Sequence, residues 1–153
     1  MPYHCCFKSK LGFVRIEGND EGILSIKTVD IPDKDSEYIT GEMKKCIVQL
    51  EEYFDGKRKE FDLKLILNGT EFQKSVWRKL MEIPYGKTVS YKDVAIAIGK
   101  PNACRAVGGA NNKNKIWIVI PCHRVIGSNG DLVGYGGEIW RKEALLKLEK
   151  ENS

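Results

Sequence analysis

The sequence predicts an α/β N-terminal domain, a small antiparallel sheet plus one helix, followed by a mainly α C-terminal domain with a winged helix-turn-helix-like element. Three observations predict it. Apolar and polar residues alternate over the first thirty positions, apolar residues then recur at helical steps up to Phe54, and the second half holds two short cap-bounded helices close together. The 153 residues suffice for one domain or two small ones. A mixed connector places the boundary so that 1–66 form a supporting domain and 67–153 a second one.

"GFVRIEG" and "GILSIKTV" read as strands, with Asn19-Asp20 at a turn between them. From about Ser36 to Phe54, the residues Ile39, Met43, Ile47, Leu50 and Phe54 form one face of a helix that Asp55-Gly56 ends. "GKRKEFDLKLILNG" reads as a connector with one short strand. Thr70 followed by Gln73 is a capping box, opening a helix through Phe72, Val76, Leu80 and Met81 that Pro84-Tyr85-Gly86 stops. Ser90 caps "YKDVAIAIG", Gly99 closes that helix, and a third runs from Asn102 through Cys104, Arg105, Ala106 and Val107. This pair has helix-turn-helix spacing, and Ala103, Ala106, Gly108, Gly109 and Ala110 would let its second helix lie close in a DNA groove. "IWIVI" reads as a buried strand delivering Pro121 and Cys122, and a glycine-rich loop, "GSNGDLVGYGG", follows. The last helix is expected from about Glu138 to Lys150, packed through Ile139, Leu145, Leu146 and Leu148, with Glu149 placed to turn inward.

Charge narrows the functional classes. Residues 1–70 carry 11 basic and 13 acidic side chains, residues 71–153 carry 14 and 8, so the halves have net charges of −2 and +6. Between 74 and 124 ten basic residues face only Glu82 and Asp93, an excess suited to phosphate backbones. No apolar run is long enough to span a bilayer, and the N-terminus lacks a secretory pattern, which favours an intracellular, cytoplasmic setting, nuclear in a eukaryote. Five irregularly spaced cysteines make a poor disulfide framework and fit a reducing compartment. His4, Cys5 and Cys6 adjoin, but adjacent side chains rarely converge on one ion, so no metal is expected.

Cys122 can be read as a nucleophile, a metal ligand or a packed small side chain. Pro121 breaks the strand before it, so Cys122 would head a short helical turn whose free N–H groups favour a thiolate. His123 is the adjacent base, and Glu149 is the carboxylate that the chain path places best to orient it. On the residues alone, a thiol hydrolase forming an acyl-enzyme and a DNA-binding regulator with a structural cysteine remain rival readings.

"PCHRV", together with "GKTVSY" and "RAVGGANNKN" upstream and "GYGG" downstream, resembles the active-site region of the O6-alkylguanine-DNA alkyltransferases, also called methylated-DNA protein-cysteine methyltransferases. The likeness covers roughly residues 70 to 149, whereas the N-terminal sheet is similar only in general layout. It implies direct-reversal repair: irreversible transfer of the alkyl group from O6-alkylguanine in double-stranded DNA, with a possible extension to O4-alkylthymine, onto Cys122 after base flipping. Each molecule would act once, as a monomer that could assemble cooperatively on DNA, with no cofactor and no membrane.

The resemblance also implies roles. Cys122 would accept the alkyl group, His123 would relay its proton through a water to Glu149, Asn114 would be the buried hinge amide, and Tyr91 would donate to the purine. The carbonyls of Val125 and Cys122, with Tyr135, Gly136 and Gly137, would line the guanine pocket. Arg105 would fill the gap left by the rotated nucleotide, and Ala106, Gly108, Gly109, Arg124, Ser90 and Asn102 would complete the DNA contact.

Overall fold

The computed structural model describes residues 2–127, 130 and 138–153. The chain divides into two compact units, Met1–Leu67 and Asn68–Ser153.

In the first unit, strands β1 (Tyr3–Ser9), β2 (Gly12–Asn19) and β3 (Gly22–Val29) form an antiparallel sheet in the order β1-β2-β3. The alternation that predicts them puts Cys5, Val14, Ile16 and Ile26 inside, and a register shift opposite Glu17/Gly18 brings Ile23 to the same face. Helix α1 (Gly41–Phe54) covers that face with Met43, Cys46, Leu50, Tyr53 and Phe54. It begins later than the periodicity suggests, because Thr40 caps it by accepting from the Met43 N–H at 3.1 Å. In the connector, only Leu65 makes a bridge, to Ile23, so the short strand expected there shrinks to one pairing. Gly22 is required at that crossing: its φ is +155°, and a Cβ would lie 2.5 Å from the Lys64 carbonyl oxygen.

In the second unit, α2 (Glu71–Leu80) starts with the Thr70/Gln73 capping box and buries Val76, Trp77 and Leu80. Strand β4 (Val89–Ser90) leads into α3 (Tyr91–Ala97), capped by Ser90 and Asp93, and Gly99 at φ +79° turns the chain toward α4 (Cys104–Asn112). Trp77 Nε1 donates to the Ala110 carbonyl at 2.9 Å, fixing α4 on α2. A 3-10 turn (Cys122–Arg124) runs into β5 (Val125–Ile126), which pairs in parallel with β4, and α5 (Ile139–Asn152) closes the unit.

Two elements differ from expectation. Residues 115–120 form bends and a turn, with a single bridge at Ile116, rather than a strand, although Ile116, Ile118 and Ile120 are buried as a strand would bury them. Asn114 supplies the bonds that a strand partner would otherwise make: its Nδ2 donates to the Ile120 carbonyl at 2.8 Å and its Oδ1 accepts from the Ile116 N–H at 2.9 Å. Ile118 takes a left-handed φ of +74°, which closes the loop. The buried face of α5 is Lys142, Leu145 and Glu149, and Ile139 is half exposed. The apolar stripe misplaces this face because two of its three inward residues are charged.

Candidate active site

The 3-10 turn, the segment just after α4 and the inner face of α5 bring Cys122, His123, Arg124, Asn114, Lys142 and Glu149 together, all of them buried. Cys122 heads the turn after Pro121, which cannot donate to a preceding carbonyl. Its thiol is pushed up to about 11 by burial, while the Asn114 amide, the charge of Lys142 and the backbone N–H groups of residues 122 and 123 act in the opposite direction. This corrects the expectation of a ready thiolate: desolvation at 3% exposure outweighs the helix-start donors, so the resting group is a thiol. Burial also raises Cys5 to about 11, against the opposing charge of Arg15, and Cys46 to about 12, but neither thiol has a side-chain hydrogen-bond donor like the Asn114 amide. Cys122 is therefore distinguished by its partners, not by its burial. All five cysteines are free thiols.

His123 is fully buried, and its Nε2 lies 2.6 Å from Glu149 Oε2. A carboxylate only accepts, so Nε2 carries the proton and Nδ1 presents a lone pair. That Nδ1 is buried without a hydrogen-bond partner. Burial holds the imidazole below its ordinary value, helped by the charges of Arg124 and Lys142 and opposed by Glu149. Glu149 accepts from Arg124 Nε at 2.8 Å, from Arg124 Nη2 at 3.0 Å and from the Gly86 N–H at 3.2 Å. Burial alone would raise its carboxyl, but the bonds and charges of His123 and Arg124 prevail and hold it well below the ordinary carboxylate range.

Arg124 differs from its expected place at the DNA surface. It is 6% exposed, grips Glu149 and donates from Nη1 to the Ile83 carbonyl at 2.7 Å, with its guanidinium over the Tyr85 ring. The buried carboxylate draws it inward, since either charge left alone there would be strongly disfavoured.

Tyr91 begins α3, half-buried, and its hydroxyl is raised by burial and by the proximity of Cys122. Val125 is buried, and its carbonyl accepts from Lys142 Nζ at 2.5 Å. Tyr135, Gly136 and Gly137 lie outside the described residues. Arg105, Ala106 and Gly109 share the exposed side of α4, and Asn102 is exposed just before it. A Cβ on Gly109 would meet nothing within 4 Å, so packing within the unit does not require glycine there. Ser90 is bound into its cap, accepting from the Asp93 N–H at 3.0 Å.

Two inward polar residues escape the sequence reading. Lys142, fully buried, has its ammonium lowered to about 8 by desolvation, with Cys122 acting against that shift. Its spacing to Leu145 and Glu149, three and seven residues along one helix, is the signal that could have found it. Asn111 donates from Nδ2 to the Cys122 carbonyl at 3.4 Å, and nothing in "GGANNKN" marks it out from its neighbours. Among the described residues no group of three or more His, Cys, Asp or Glu side chains could hold a metal, and no helix is long and apolar enough to cross a membrane.

Comparison with known proteins gives this geometry a context. Residues 71–151 match the family model of the 6-O-methylguanine DNA methyltransferase DNA binding domain, and residues 3–67 match that of its ribonuclease-like domain. The second match extends the likeness to the N-terminal unit, where the sequence reading finds only a general layout. A methylated-DNA protein-cysteine methyltransferase of Methanosarcina barkeri is 48% identical, with 98% of each chain covered, and one of Mycolicibacterium paratuberculosis is 46% identical over 95% of this chain and 90% of that one. The crystal structure of Mycobacterium tuberculosis O6-methylguanine methyltransferase superposes with a TM-score of 0.89 at 41% identity, covering 100% of this chain and 95% of that one. The Mycobacterium tuberculosis OGT solved in complex with DNA superposes at 0.89 and 42% identity, covering 98% and 94%. With both units matched and close relatives aligned along nearly their whole length, the chain belongs to the 6-O-methylguanine DNA methyltransferase family.

Proposed function

We propose that the protein repairs DNA by direct reversal, moving the alkyl group of O6-alkylguanine in duplex DNA onto Cys122 once per molecule. The observation that carries this reading is the buried relay: Cys122 beside His123, whose Nε2–H is held 2.6 Å from Glu149 Oε2 while Nδ1 remains an open acceptor.

The thiol proton passes, directly or through a solvent molecule, to His123 Nδ1. Glu149 stabilises the imidazolium so formed, and Arg124 keeps Glu149 ionised and in place. Lys142 and the Asn114 amide stabilise the thiolate as it forms. The sulfur lone pair then attacks the saturated alkyl carbon; a carbon–sulfur bond forms, the carbon–oxygen bond breaks, and its electron pair leaves on the guanine. Tyr91 donates toward the purine, and the proton released at Cys122 balances the departing base. The thioether has no leaving route among these groups, so the reaction stops after one transfer.

The lesion oxygen lies inside the base stack, and a buried sulfur reaches it only if the nucleotide rotates out. Arg105, on the exposed side of α4, fills the space left behind, and small residues such as Ala106, Gly108 and Gly109 let the helix sit close to the groove. The partner is therefore double-stranded DNA carrying the lesion. A titration of protein against an O6-methylguanine duplex tests this: restored guanine should plateau at one equivalent per active protein molecule. Continued restoration beyond that plateau would exclude a once-only acceptor.

A further inference from the structure

The carboxylate of Glu149 is met from a second direction by the turn between α2 and β4. Its Oε1 accepts from Arg124 Nε at 2.8 Å and from the Gly86 N–H at 3.2 Å, while Oε2 faces Arg124 Nη2 at 3.0 Å and His123 Nε2 at 2.6 Å. Arg124 and His123 reach it from adjacent positions of the 3-10 turn, whereas Gly86 belongs to another segment. In that same segment the Ile83 carbonyl accepts from Arg124 Nη1 at 2.7 Å, and the Tyr85 ring lies against the guanidinium. Both members of the ion pair are thus tied to one turn, residues 83–86.

Glycine lets the turn come this close. Gly86 has a left-handed φ of +79°, which strains any side chain placed there, and a Cβ would stand 2.8 Å from Ser153 Cβ in the last turn of α5. A side chain would push the turn off that helix and stretch a bond already at the long end of its range. Arg124 grips both carboxylate oxygens, but its long side chain can swing together with the carboxylate. A backbone N–H from a separate segment cannot. The relay needs Oε2 to stay on the His123 proton while the imidazolium forms, and a carboxylate free to rotate loses that alignment. We propose that Gly86 is a positioning residue for the transfer reaction, its N–H anchoring Oε1 of Glu149 so that Oε2 stays aligned on His123 Nε2. This inference rests on the reading of Cys122 as the alkyl acceptor with His123 as its base. Gly86 acts through Glu149, not on the sulfur.

Two replacements test the donor. Gly86→Ala keeps the N–H but forces the turn to shift, while glycolic acid at position 86 exchanges the N–H for an ester oxygen and keeps the freedom of glycine. Single-turnover transfer from an O6-methylguanine duplex should fall roughly tenfold in the ester form, the scale of one hydrogen bond to a charged acceptor. The His123 Nε2 proton, 2.6 Å from its carboxylate acceptor heavy atom to heavy atom, should resonate downfield of the backbone amides in the proton NMR spectrum of the wild type. In the ester form that resonance should move upfield or exchange away, and Gly86→Ala should show both effects. A rate in the ester form within about twofold of wild type would overturn the proposal. So would a slowed rate with the histidine resonance unmoved, because a glycine needed only for the turn leaves that proton in place. If Gly86→Ala does not fold, the ester form decides, since it adds no atom for the site to accommodate. A wild type that restores no guanine overturns the reading of Cys122 instead, and the resonance then decides by itself whether Gly86 holds Glu149.

Discussion

Arg124 and Glu149 form a buried two-pronged ion pair, Nε to Oε1 at 2.8 Å and Nη2 to Oε2 at 3.0 Å, and the same Oε2 accepts a hydrogen bond from His123 Nε2–H. One carboxylate therefore sets the tautomer of the base and neutralises an arginine in the interior. Glu149→Gln removes one partner and leaves the guanidinium buried without its counter-charge, which should destabilise the fold by about 3 to 5 kcal/mol. Urea unfolding of wild type and variant at neutral pH checks this. A difference under about 1 kcal/mol would show that the pair does not hold the second unit together.

The same pair sets an acid limit. Glu149 is held far below its ordinary value of 4.5, so its contribution is complete above that value, where an unfolded chain is also ionised. As pH falls below 4.5 the unfolded state takes up a proton that the folded state refuses, and stability is lost progressively. The stability gap between wild type and Glu149→Gln should therefore stay level from pH 7 to 5 and narrow below about 4.5. A gap that closes between pH 7 and 6 would contradict the assignment.

Transfer itself should be insensitive to mild acid. Burial holds His123 below its ordinary value of 6.5, so the neutral ring that accepts the thiol proton persists through pH 6.5 and gives way only in more acidic solution. A single-turnover rate profile should be flat through that point. Half-loss of rate at or above pH 6.5 would mean that the imidazole is not the buried base described above.

Lys142→Met should slow transfer at pH 7 by at least about tenfold, the factor for each unit of thiol pKa that the ammonium no longer opposes. A structural lysine would leave that rate unchanged. Its linkage has the same sign as that of Glu149 but acts in an alkaline window. A lysine lowered from 10.5 to about 8 binds its proton less well when folded, so wild type should gain stability relative to Lys142→Met as pH rises from 8 toward 10.5. Thermal melts across that range read the difference.

Arg105→Ala should weaken transfer from duplex DNA by roughly tenfold or more, the scale of lost compensation for unstacking, while changing reaction with the free O6-methylguanine base by less than about twofold. Equal losses on both substrates would rule out a role in holding the nucleotide out. Arg124→Ala should destabilise the protein yet leave the salt dependence of duplex binding unchanged, because Arg124 faces Glu149 and not a phosphate.

Much of this organisation can be read from local rules. The Thr70/Gln73 and Ser90/Asp93 boxes mark helix starts because the residues that satisfy the first N–H groups stand at fixed offsets, and the sheet follows from alternation that only a register shift in β3 interrupts. Cys122, His123 and Glu149 are legible because Pro121 marks a break and the last helix offers a carboxylate. What sequence does not show is which polar side chains turn inward. "IWIVI" has strand composition, yet its path is set by the Asn114 amide and by the left-handed Ile118. Arg124 sits in a basic stretch and reads as a surface residue until Glu149 is seen across from it. Lys142 and Asn111 stay hidden for the same reason: their roles depend on tertiary partners at Val125 and Cys122.

The most direct measurement is the intact mass of the protein after incubation with a duplex containing O6-methylguanine, followed by peptide mapping. One added methyl group should appear on the peptide holding Cys122, with guanine restored in the DNA, and Cys122→Ser should gain nothing. Restored guanine with an unmodified Cys122, or with the methyl group on another residue, would contradict the account.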